Sequence, residues 1–103
     1  MSQPPFEWPG YSATNPAHRR VSTFLVVDIQ HSPEWAEDLA EKIEAVMSGK
    51  LRQWERTGNA FHLELSTRGA SIEDLVDESI PIQTVSLAEF RMAVLTWLQQ
   101  LSP

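Results

Sequence analysis

Groups that move protons or hold metals come first, and this chain offers three histidines and no cysteine. Without cysteine there are no disulfides, no thiolate nucleophile and no zinc–thiolate site. His18, His31 and His62 lack the helical three- or four-residue spacing of a metal pair, so neither a metal nor a cofactor is expected. His62 and Glu64 share one face of a strand, and Asp28 on a neighbouring strand would complete an acid–base group. That pattern is also what an ordinary solvated sheet face shows. No serine sits in a Gly-x-Ser-x-Gly elbow, and Gly58 and Gly69 read as hairpin glycines rather than a phosphate loop. The chain reads as a non-enzyme.

Charge carries more information. The net charge is −6 over 103 residues, and the acids are gathered in two places. The first group, Asp28, Glu34, Glu37, Asp38, Glu41 and Glu44, falls mostly on the start and outer face of a helix, where carboxylates complement the dipole. The second group is Glu64, Glu73, Asp74, Asp77 and Glu78, around a strand end and loop that no helix dipole explains. It lacks the alternating oxygen ligands and central glycine of a calcium loop. These carboxylates are the candidate partner-binding residues, and the partner they suit is a basic protein. Phosphate backbones and anionic lipid are repelled by the same charge, so neither nucleic acid nor membrane is an expected partner. Arg19, Arg20, Lys50, Arg52 and Arg56 with Trp54 are the counter-argument, a weaker nucleic-acid reading. Trp54 is also either an exposed anchor or a core tryptophan under a helix.

The elements that would position these groups follow from periodicity. Residues 1–20 hold four prolines with Phe6, Trp8 and Tyr11 and show no periodicity. They read as an N-terminal arm, either disordered or laid over the body. The rest, 21–103, is one α+β domain. Val21–Ile29 is β-branched and alternating, which predicts a strand. Ser32-Pro33 caps a helix whose stripe is Trp35, Leu39, Ile43, Val46 and Met47, and Gly49 stops it. Strands follow near 51–56, 60–65, 70–75 and 80–85, with Pro81 confining the last to an edge or irregular start. Ser86 and Glu89 form a capping box, with Val85 and Phe90 as a staple. Leu87, Phe90, Val94, Trp97, Leu98 and Leu101 then make the stripe of a final helix. The expected order is β-α-β-β-β-(β)-α: a small antiparallel meander sheet with two helices packed on one face. No run approaches the length of a membrane span and the start lacks a signal-peptide pattern, so a cytoplasmic protein is expected.

Several of these segments taken together resemble a known group. Trp54 to Leu65, then Ala70-Ser71-Ile72-Glu73-Asp74, Pro81, Ser86 to Arg91 and Trp97-Leu98 resemble the small immunity proteins of bacterial contact-dependent growth-inhibition and related polymorphic toxin systems. The resemblance spans about residues 50–101 and omits the arm. It implies a cytosolic protein that binds and blocks a cognate toxin domain, often a nuclease. Contact residues vary within such families, so none is carried over by position. A nuclease cleft is basic because it holds phosphates, and the acidic group from Glu64 to Glu78 would suit it. The alternative is a homo-oligomeric structural or adaptor module. In that case Met92 and Leu95, off the main stripe of the last helix, would form a homodimer contact.

Overall fold

A computed structural model describes residues 6–77 and 79–101. The first helix, α1 (Pro16–Phe24), begins where Asn15 accepts hydrogen bonds from the amides of Ala17 (2.9 Å) and His18 (3.4 Å). Pro16 fills the first helical position, where a missing N–H is harmless. A π turn, Leu25–Ile29, continues it and closes with the Gln30 amide donating to the Leu25 carbonyl at 2.7 Å. The strand expected over Val21–Ile29 is therefore a helix, and the boundary drawn between arm and domain falls inside it. The physical reason is burial. Val21, Phe24, Leu25 and Ile29 are buried while Thr23, Val26 and Val27 are exposed, a three-and-four spacing that overrides β-branched preference.

The turn ends on Gln30, whose φ of 57° and ψ of −151° place a non-glycine residue in a sparsely populated region. Its carbonyl accepts from the Trp97 indole N–H at 2.9 Å. Helix α2 (Pro33–Met47) starts as expected, with the Ser32 hydroxyl accepting from the Trp35 amide at 3.2 Å. Its inner positions are Ala36, Leu39, Ile43 and Val46. Trp35 and Met47, placed on the stripe by sequence, are instead about half exposed at its margins (48% and 46%).

Four strands follow: β1 (Gln53–Thr57), β2 (Phe61–Ser66), β3 (Gly69–Asp74) and β4 (Gln83–Val85). They form an antiparallel meander in the order β1-β2-β3-β4, as expected from the two hairpin signals. The inner face carries Phe61, Leu63, Leu65, Ala70, Ile72 and Val85, all buried. Helix α3 (Leu87–Leu101) then packs beside α2, with Glu44 and Arg91 paired across them. Its capping hydroxyl, on Ser86, accepts from the Glu89 amide at 3.1 Å. Phe90, Ala93, Val94 and Trp97 are its buried positions.

Among the described residues the architecture is α+β, with three helices and a four-stranded antiparallel sheet. The observed order, α-α-β-β-β-β-α, has one more helix and one fewer strand than the expected order. Of the arm, Phe6 and Trp8 are core residues, and Phe6 meets Trp97 edge-on at 4.9 Å. Residues 6–11 are laid over the body, held by the Ser22 hydroxyl donating to the Phe6 carbonyl at 2.8 Å. His18, only 6% exposed, locks this corner. Its Nδ1 accepts from the Ser12 amide at 2.9 Å, which puts the proton on Nε2, and Nε2 donates to Glu89 at 2.8 Å. That hydrogen bond holds the Glu89 carboxyl below the usual carboxylate range, with Ser86 adding to the effect.

Candidate functional site

Because strand side chains alternate, a sheet covered on one face leaves a second face defined by sequence. Here the outer positions are Gln53, Glu55 and Thr57 on β1, His62, Glu64 and Ser66 on β2, Ser71 and Glu73 on β3, and Thr84 on β4. Three glutamates and one histidine carry its ionisable groups, with no lysine or arginine among these positions. Register sets their neighbours. Glu64 lies directly opposite Glu55 on one side and Ser71 on the other, while His62 lies between Thr57 and Glu73.

His62 joins the face together. Its Nδ1 meets the Thr57 hydroxyl at 2.8 Å and its Nε2 meets a Glu55 oxygen at 3.0 Å. Ser71 and Thr84 share a hydroxyl–hydroxyl bond of 2.9 Å. A shallow cleft of about 200 Å³ opens beside them, lined by His62, Glu64, Ser71, Glu73 and Ile82. A hydroxyl, an imidazole and a carboxylate in series are the parts of a general-base relay. Such a relay also needs oxyanion donors, and the Gly58 amide next to Thr57 is committed to the Phe61 carbonyl at 2.9 Å.

The sequence-derived residues divide between different sites. Glu64 and Glu73 meet in the cleft. Asp74 faces the other way and accepts from the amides of Val76 (2.8 Å) and Asp77 (2.9 Å), shaping the turn after β3. Asp77 accepts from the Ser79 hydroxyl (2.6 Å) and amide (3.0 Å), which hold its carboxyl below the ordinary value. Glu78 lies outside the described residues. Asp28 is corrected outright: it belongs to the π turn, not to a strand beside His62. Its side chain is fully buried, accepting from the amides of Ala60 (3.0 Å) and Phe61 (3.1 Å), with Arg56 at 3.9 Å. It clamps the π turn to the β1–β2 hairpin. A β-carbon at Gly58 would collide with that carboxylate and with Arg56, so only glycine fits there.

Glu55, Thr57 and Ile82 were missed by sequence reasoning. The hairpin signal Thr57-Gly58-Asn59 fixes Glu55 opposite Glu64, so the two acids were legible as neighbours once the register was written out. Ile82 carried no such signal. Trp54 proves to be an inner-face residue packed on the core, with the Lys42 ammonium of α2 5.8 Å from its ring centre. The basic side chains are largely committed to the chain itself. Arg19 donates to the Ala13 carbonyl (2.7 Å), Arg20 to the Ile72 carbonyl (2.9 Å), and Arg56 stacks on Trp35 beside Asp28.

Among the described residues no three histidine, aspartate or glutamate side chains come together as a ligand set, and no helix is long and apolar enough to cross a membrane. Comparison with protein-family models, curated proteins and solved structures finds no match for this chain.

Proposed function

We propose that this chain is a non-enzymatic protein-binding inhibitor of the immunity type, which neutralises a basic toxin domain by covering it with the outer face of the sheet. The observation that carries the reading is Glu55 standing directly opposite Glu64 on a face without lysine or arginine. Like charges in directly opposed positions destabilise a sheet, so the arrangement suits a surface whose charge is met from outside. A nuclease domain is the favoured partner because its phosphate-binding cleft is positive.

The experiment is co-expression with the product of any secreted-toxin gene found beside this chain's own. Growth rescue and a salt-sensitive complex are expected, and reversing Glu55, Glu64 and Glu73 to lysine should slow association about tenfold or more at low salt. Unaltered association and salt dependence in that variant would remove the electrostatic basis of the proposal. A second reading rests on Met92, 45% exposed on α3. In it the chain self-associates as an adaptor through that helix, and sedimentation at increasing concentration would show a dimer lost in Met92→Lys.

A further inference from the structure

The connection between β3 and β4 exposes apolar side chains at unusual density: Leu75 (42%), Val76 (80%), Ile80 (38%) and Ile82 (57%). Exposed aliphatic residues are ordinary when scattered, and these divide between two sides: Ile80 lines a cleft with Arg19, Arg20 and Asp74, whereas Ile82 stands among the acids of the outer sheet face. Ile82 walls the cleft that also holds Glu64 and Glu73. Pro81 fixes φ beside it and offers no amide, so Ile80 and Ile82 are presented on a stiffened backbone. The turn bonds of Asp74 and Asp77 hold the same connection in shape, which lowers the ordering cost of a contact made there.

Resting on the protein-binding reading above, we propose that Ile82 is the apolar anchor of the partner contact. Its occupant is a protein segment that presents an aliphatic side chain flanked by lysine or arginine. Glu64 and Glu73 then receive the cations while Ile82 covers the aliphatic group. Charge decides among occupants. An anionic membrane or nucleic acid meets the glutamates with like charge. A second copy docked on the same patch brings Glu64 and Glu73 against their own counterparts. Aspartates 74 and 77 shape this epitope, and glutamates 64 and 73 supply its charge. Affinity comes from the desolvated apolar contact, and charge adds rate and register.

The test titrates the full chain, followed by amide NMR shifts, with three peptides: Gly-Lys-Lys-Leu-Lys-Lys-Gly, its serine analogue in place of leucine, and its glutamate analogue in place of lysine. The leucine–lysine peptide should shift Glu64, Glu73 and Ile82 and bind about tenfold tighter than the serine analogue. Ile82→Ser, at an exposed position that leaves the thermal melt unchanged, should erase that tenfold difference. Equal binding of the two lysine peptides, or a preference that survives Ile82→Ser, would overturn the anchor and leave the acidic-face reading standing. Absence of shifts on the face, or equal binding of the glutamate peptide, would overturn both. A concentration-dependent dimer abolished by Ile82→Ser would assign the patch to a second copy and overturn the proposal.

Discussion

Asp28 is a buried carboxylate whose two accepted hydrogen bonds come from backbone amides of the β1–β2 connection. Replacing it with alanine leaves those amides without their partner and Arg56 without its counter-ion. Asp28→Ala should therefore lower unfolding free energy by about 3 kcal/mol, read from urea midpoints. Gln30 offers the opposite prediction. Its positive φ suits glycine, so Gln30→Gly should be about 1 kcal/mol more stable than Gln30→Ala in the same measurement. Glu89 predicts a pH dependence. Its carboxyl is depressed in the folded state, so its contribution is present above the usual carboxylate value of 4.5 and is lost as pH falls through the lower folded value. The stability gap between the natural chain and Glu89→Gln should shrink from pH 5 downward, and it should be no more than a fraction of a kcal/mol because the side chain is half exposed. Sequence showed Asp28 as an acid and Glu89 as a cap. The identity of their long-range partners, Ala60 and His18, depends on tertiary contacts that no local pattern encodes.

At the level of elements, the hairpins were legible because Gly58 and Gly69 mark turns between alternating runs. The helix α1 was not, although Asn15-Pro16 is the same cap-and-proline signal as Ser32-Pro33, which was read correctly. Valines and threonine in 21–27 favour a strand locally, and only the packing of Phe24 on Phe61 and the burial of Ile29 in the core decide otherwise. The outer sheet face was half legible: Glu64 and Glu73 were found, but pleat geometry separates them from Asp74. The Glu55–Glu64 juxtaposition predicts a trade-off. Glu64→Lys should raise stability of the free chain by about 0.5 kcal/mol, since it converts a like-charge pair into an opposite one. The same substitution should weaken capture of the basic peptide, measured by the same shift titration.

Across the whole molecule, the core draws on both the start and the end of the described chain. Trp8 is 6% exposed and packs beside Tyr11 and His18. Trp8→Ala should cost about 3–5 kcal/mol, enough to unfold much of a domain this size, and the loss would show in both denaturation and near-ultraviolet dichroism. Phe6 rests on Trp97, whose indole also ties down the strained carbonyl of Gln30. Vectorial synthesis makes that arrangement consequential. A nascent chain that has left the ribosome as far as β4 still lacks the surface on which its earliest aromatic residues settle, so those residues stay available to chaperones until the final helix emerges.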